Sequence, residues 1–342
     1  MKPKAIVAPF FRTMEEIFDA PTLKRLHELV EVVWGRDEPM PPELFAEASQ
    51  DASAIVFGWW EYGVDAIANA GSSLRYVFEV AGTHDHPDLD YATCFERGIV
   101  VGGCAPAFAP AVAEHALALS LAAGRLIVEG DNGFRSGDER WLHEGNEGAV
   151  THYGKTFGFV GAGGLSRSLQ PFLVPFGGRF LAYDPWLGDE ALVERGIEPV
   201  GLEQLFADSD IVFVLAVPTP DNAGLVSREL MELLTPDNIL VVVSRAHLVD
   251  FDAMTELALQ GRFKAATDVF PTEPLAVDHP IRGAIGVVLS AHRAGPIPEA
   301  CLDIGRMVVD DLELLLAGEE PRRMQHATPE MIQGLSGSLD EG

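Results

Sequence analysis

Residues 157–166 read FGFVGAGGLS and residues 179–184 read RFLAYD. Together they decide the fold. An apolar strand runs into Gly161-Ala162-Gly163-Gly164-Leu165-Ser166, which opens a helix, the position a dinucleotide fingerprint occupies. Gly161 and Gly163 permit a tight turn and close approach of a pyrophosphate, and the amides of Gly164 and Leu165 at the helix start supply donors. Ser166 stands at the third glycine position. The next strand ends in Asp184, at the distance expected of the carboxylate that receives an adenosine ribose. Residues 185–190, PWLGDE, bring no cation for a ribose phosphate, and Asp189 and Glu190 would repel one, so NAD is expected rather than NADP.

Outward from this core, short apolar runs alternate with helical patterns on both sides. AIVAPF, a helix over 14–33, AIVFGW, a helix over 64–70, LRYVFEVAG and GIVVGG precede a long Ala- and Leu-rich helix over 109–125. Residues 129–155 are polar and glycine-containing and read as an irregular connection. Alternation then resumes through DIVFVLAV, NILVVVS, FKAATDV and GVVLSAH, followed by a helix over 298–317 and an unpatterned tail of about 20 residues. The expected fold class is α/β, with two doubly wound parallel-sheet domains: a Rossmann NAD domain over 108–296, and a flavodoxin-like substrate domain built from 1–107 and 297–342.

The 342 residues carry 24 Lys and Arg against 52 Asp and Glu, a net charge of −28. That balance argues against nucleic acid or an anionic membrane as a partner. Cys94, Cys104 and Cys301 are too few and too scattered for a disulfide framework or a zinc site, and fit a reducing cytoplasm. No signal peptide or membrane-crossing segment is expected. His84, His86 and His115 lack metal-ligand spacing, so no metal is expected.

Three polar residues close the late strands, where open parallel sheets put their ligand crevice. Arg245 ends NILVVVSR, Glu273 lies in DVFPTEPL, and His292 ends GVVLSAH. Carbonyl reduction needs a proton donor that works near neutral pH, which imidazole supplies, and a carboxylate beside the ring to orient it. It also needs a fixed cation for a substrate carboxylate, which the arginine fork supplies.

With these residues in hand, the sequence over 74–317 resembles the D-isomer-specific 2-hydroxyacid dehydrogenases. The likeness is carried by VAGTHDHPDLD, VAEHALAL, the Gly161 fingerprint with Asp184, and the succession SRAHLVD, ATDVFPTEPL, SAHRAG. The resemblance implies hydride transfer between NAD and a 2-oxoacid or 2-hydroxyacid, in a site lying in the cleft between the domains of a homodimeric enzyme. It makes Arg245 the substrate-binding arginine, Glu273 the partner of the histidine, and His292 the general acid and base. Asp268 would hold the nicotinamide carboxamide, Val243 would contact the cofactor through its backbone, and the backbone of Ala81, Gly82 and Thr83 would grip the substrate carboxylate. Trp59 lies where family members build part of the substrate pocket. Val242 and Ala246 stand where the family has Asn and Gly. Two rival readings share these features, an NAD-sensing corepressor-like binding protein and a phosphite-type dehydrogenase.

Overall fold

The computed structural model describes residues 2–82, 84 and 86–336. The chain runs through β1 (Lys4–Ala8), α1 (Met14–Ile17), α2 (Ala20–Leu29), β2 (Glu31–Trp34), α3 (Pro42–Ala48), β3 (Ala52–Phe57), α4 (Ala66–Asn69), β4 (Tyr76–Glu79), α5 (Tyr91–Glu96), β5 (Val100–Gly103) and α6 (Ala105–Gly124). It continues with α7 (Ile127–Ser136), α8 (Leu142–Gly145), β6 (Thr156–Val160), α9 (Gly164–Leu173), β7 (Arg179–Tyr183), α10 (Asp189–Val193), β8 (Glu198–Pro199), α11 (Leu202–Asp208) and β9 (Ile211–Val214). Last come α12 (Arg228–Met231), β10 (Ile239–Val242), α13 (Phe251–Leu259), β11 (Lys264–Thr267), β12 (Val287–Leu289), α14 (Pro298–Leu316), β13 (Gln325–His326) and α15 (Pro329–Ser336). Two compact units result, Met1–Phe108 with Pro296–Gly342, and Ala109–Gly295.

The sheet of the first unit has the order β13-β5-β4-β3-β1-β2, parallel except for β13. Without β13 this is the flavodoxin-like order. Side chains alternate between its faces as a doubly covered sheet requires. Ala5 and Val7 pack with Ile304, Met307 and Leu312 of α14, while Ile6 and Ala8 pack with Phe45 of α3 and Ile67 of α4.

In the second unit the sheet is wholly parallel, ordered β12-β11-β10-β9-β6-β7-β8. The strand order reverses between β6 and β9, and open α/β sheets take their ligands at such a switch point. On one face Val212, Val214, Leu240 and Val242 meet Leu205, Met231, Met254 and Leu257 from α11, α12 and α13. Phe157, Phe159, Phe180 and Phe213 form an aromatic ladder with centroids 5.6 to 6.2 Å apart. Each such ring contributes about 1.5–3 kcal/mol by leaving water. The frame that carries the fingerprint is therefore stiff.

Three readings of the sequence are corrected. The 14–33 stretch is two helices and a strand, because the Asp19 side chain accepts from the Thr22 amide and starts α2 afresh. The connection over 129–155 holds α7 and α8, with Arg135 and Asp131 paired at 2.7 Å on one helix face. The tail supplies β13 and α15, tied down by the buried Asp311 carboxylate, which accepts from the amides of Arg322, Arg323 and Met324. By length and composition alone α6 could cross a membrane, but half of that stretch is buried inside the protein.

Burial pushes the His152 imidazole down from its usual 6.5 to about 4, and its Nε2 lies 3.0 Å from Ser120 Oγ. Between pH 6.5 and about 4 the unfolded chain takes up a proton that the folded one refuses. The His152 contribution to stability is thus complete above pH 6.5 and is lost as pH falls, by up to ~3 kcal/mol. A His152→Gln variant, compared with wild type by thermal melts at neutral pH and near pH 4, should lose several degrees less on acidification. Equal losses would contradict this.

Candidate active site

Fingerprint glycines are demanded for different reasons at different positions. Gly161 has φ +91°, and a Cβ there would lie 2.5 Å from the Ala216 backbone, so both conformation and space exclude a side chain. Gly163 and Gly164 have nothing within 4 Å of a Cβ position. That open cradle sits at the N-terminus of α9, whose first amides have no intrahelical acceptor, and it fits a diphosphate.

Asp184 does more than wait for a ligand. One carboxylate oxygen accepts from the Ala162 amide at 2.7 Å, and the other accepts from Trp186 and Leu187 at 2.9 and 3.0 Å. The first oxygen keeps an open lone pair for a ribose hydroxyl; the second is filled.

At the far end of the sheet, His292 Nδ1 lies 2.6 Å from Glu273 Oε2. Glu273 Oε1 accepts from the Phe270 amide at 3.0 Å, so the carboxylate cannot swing away. With a carboxylate at Nδ1, that nitrogen keeps its proton in both ring states, which leaves Nε2 to gain and lose the second. His292 itself has φ +50°, a conformation that L residues enter only when surroundings enforce it. Here Asp268 enforces it. Its backbone oxygen accepts from the His292 amide at 2.7 Å, and its fully buried carboxylate accepts from Arg293 and Ala294, each at 2.9 Å. His115 Nε2 lies 3.6 Å from the same carboxylate and 3.1 Å from Ser290 Oγ.

Arg245 is exposed at the end of β10, and its guanidinium makes one hydrogen bond among the described residues, to its neighbour's Ser244 carbonyl at 2.9 Å. It lines a cavity of about 590 Å³ together with Phe251, Phe270 and Pro271, the last two from the segment that carries Glu273. Val243, whose backbone is the expected cofactor contact, is buried just past β10. In the second unit, therefore, the structure brings Glu273, His292 and Asp268 together, and Arg245 shares a cavity with their loop.

The remaining expected residues lie in the first unit. The amides of Ala81 and Gly82 are already taken by Glu79, whose Oε1 accepts from both, the latter at 2.6 Å. Thr83 falls outside the described residues. Trp59 is exposed and stacks on Phe11 with centroids 5.6 Å apart. Sequence reasoning missed Glu79 and the loop-holding part of Asp268. The signal for the first was a carboxylate inside the apolar run RYVFEV, where a charge is buried only with partners.

Residues 117–294 match the family described as D-isomer specific 2-hydroxyacid dehydrogenase, NAD binding domain. The glyoxylate reductase of Pyrococcus furiosus is 31% identical over 333 residues, covering 94% of each chain. The chain belongs to the D-isomer-specific 2-hydroxyacid dehydrogenase family. The D-3-phosphoglycerate dehydrogenase of Mycobacterium leprae is also a relative, 32% identical over 299 residues. Those residues are 87% of this chain and 55% of the relative, so the chain spans about half the length of the phosphoglycerate dehydrogenases it matches. Among solved structures, a phosphoglycerate oxidoreductase from Rhizobium etli superposes with a TM-score of 0.86 at 34% identity, covering 96% of this chain and 99% of that one. The matched domain is this family's NAD-binding domain, and the cofactor is a nicotinamide dinucleotide.

Proposed function

We propose that the protein is an NAD-dependent oxidoreductase that interconverts a 2-oxoacid and the corresponding D-2-hydroxyacid. The observation that carries this reading is the His292–Glu273 pair at 2.6 Å, in the same unit as the dinucleotide cradle. Held at Nδ1 by Glu273, the His292 ring gives the proton on Nε2 to the carbonyl oxygen as it becomes an alkoxide, and takes it back in the reverse direction. Arg245 presents its unpaired guanidinium edge to the substrate carboxylate, and the cavity beside it takes the rest of the acid. Gly161, Gly163, Gly164, Leu165 and Asp184 hold the dinucleotide, with Asp268 and Val243 toward its nicotinamide end. When bound, the reduced nicotinamide supplies the hydride that reaches the 2-carbon.

NAD is preferred to NADP because the open oxygen of Asp184 favours a ribose hydroxyl and opposes a ribose phosphate. The carboxylate is assigned to Arg245 rather than to the 81–83 loop, since Glu79 already occupies the Ala81 and Gly82 amides. Names of relatives point to glyoxylate and to the oxidised partner of D-3-phosphoglycerate as first substrates to try. Three buried free cysteines support a cytoplasmic setting. The assay is NADH oxidation by the purified chain with each 2-oxoacid; turnover with at least one supports the reading, and none with any opposes it.

The partner is a second copy of the chain. Ile127 and Phe134 of α7, Trp141 just before α8 and Leu142 within it are exposed, with the Phe134 and Trp141 rings in contact at 6.4 Å. An apolar surface of this kind is normally covered, and a two-fold pairing of like chains covers it symmetrically. Sedimentation should give twice the 36.9 kDa chain mass for wild type and a single chain mass for Phe134→Glu/Trp141→Glu. A monomeric wild type contradicts the dimer.

A further inference from the structure

We propose that Arg195, acting through Ser166 and Gln170, is a positioning residue for the pyrophosphate of the dinucleotide, in a polar brace built on the side chain that stands at the third glycine position. The inference rests on the NAD assignment and adds to it a residue outside the fingerprint. Ser166 is fully buried; its Oγ donates to the Gly163 carbonyl at 3.0 Å and accepts from Arg195 Nη2 at 3.0 Å. Arg195 Nη1 donates to the Ala162 carbonyl at 2.5 Å. Gln170 locks the fork, accepting from Nη2 at 3.3 Å while its own amide donates to the Arg195 carbonyl at 2.8 Å.

What this does follows from peptide geometry. In a planar trans peptide the C=O and the following N–H point in opposite directions. Arg195 holds the Ala162 carbonyl, and Ser166 Oγ together with the Arg167 amide holds the Gly163 carbonyl, so the amides of Gly163 and Gly164 point away from those donors. A Cβ at either glycine would meet nothing within 4 Å, so a ligand has room to approach this turn. Two donors are thereby aimed before any ligand arrives. The guanidinium also places a fixed positive charge beneath a loop that must receive an anion in a protein of net charge −28, whose overall field opposes it. Burial of the guanidinium and the neighbouring Arg167 lower its pKa, while Asp184 opposes that change.

The test uses the purified full chain and titrates NADH and ADP-ribose by fluorescence and calorimetry, with thermal melts alongside. Arg195→Met should raise the dissociation constant of both by ~10-fold or more, because both carry the pyrophosphate, and Arg195→Lys should recover only part, lacking the fork. Ser166→Ala, which removes one oxygen and leaves the fold intact, should raise both by ~3-fold. Turnover at saturating NADH should stay within about twofold of wild type in every folded variant, so that the effect sits in KM and not in kcat. Unchanged dissociation constants in folded Arg195→Met, or in Ser166→Ala if Arg195→Met fails to fold, would overturn the brace alone. A wild-type chain that binds neither ligand would overturn the NAD assignment and the brace with it.

Discussion

A His292→Ala enzyme is expected to turn over its 2-oxoacid at about one hundredth of the wild-type rate or less, with NADH affinity unchanged. In the proposed reaction the alkoxide formed at the 2-carbon then has no positioned acid, and water must protonate it. Nothing in the dinucleotide cradle depends on the His292 ring, since α9 and the Gly161 turn follow β6, which three strands separate from β12. The Asp268 carboxylate still holds the Arg293 and Ala294 amides, so the loop keeps its course. Steady-state kinetics with separate NADH titration checks this: wild-type turnover in His292→Ala would remove the residue from the reaction, and a large loss of NADH affinity would mean it had been assigned the wrong task. Glu273→Gln should show a smaller loss, because the amide still reaches Nδ1 but no longer fixes which ring nitrogen carries the proton.

Gly161→Ala is the second large effect, and it should damage both stability and binding. The new methyl would sit 2.5 Å from Ala216 Cα and N, atoms of a backbone that cannot retreat without pulling on β9. Overpacking costs about 1–3 kcal/mol. A non-glycine residue at φ +91° adds about 1–3 kcal/mol more. To escape, the turn must move, and the amides proposed to receive the pyrophosphate move with it. Gly163→Ala is the informative contrast. Its methyl meets no protein atom within 4 Å, so the chain should melt near the wild-type temperature while losing NADH affinity, because the methyl enters the space the ligand needs. Calorimetric melts and NADH titration of both variants separate the two causes; equal binding in wild type and Gly163→Ala would mean that the pyrophosphate lies elsewhere.

The frame of the protein was written in its apolar spacing. Runs such as DIVFVLAV and NILVVVS are continuous because their strands are covered on both faces, and they became β9 and β10 with the expected glycine turn after β6. Glu273 and His292 were visible for a related reason: polar residues at the ends of such strands stand out against them. Less legible were the elements whose cues conflict. Gly130 and Gly133 argue against a helix over Ile127–Ser136, yet the Asp131–Arg135 pair and the left-handed Gly137 at its end hold one. The strand Glu31–Trp34 is four residues long and follows an amphipathic helix directly, so periodicity alone ran the two together. Glu79, Arg195 and the loop-holding part of Asp268 were hidden for another reason. Each acts on backbone groups brought near it by the fold, and no spacing in the sequence encodes which carbonyl or amide a side chain will meet.

The central claim, that this chain reduces a 2-oxoacid with NADH through His292, is tested most directly by one assay. Purified wild-type protein and His292→Ala are mixed with NADH and a panel of 2-oxoacids that includes glyoxylate, NADH loss is followed, and the configuration of any chiral product is determined. The account predicts oxidation of NADH with at least one acid, a product of D configuration, and a roughly hundredfold slower reaction in His292→Ala. NADH that binds to the wild-type protein and is consumed with none of the acids would contradict it.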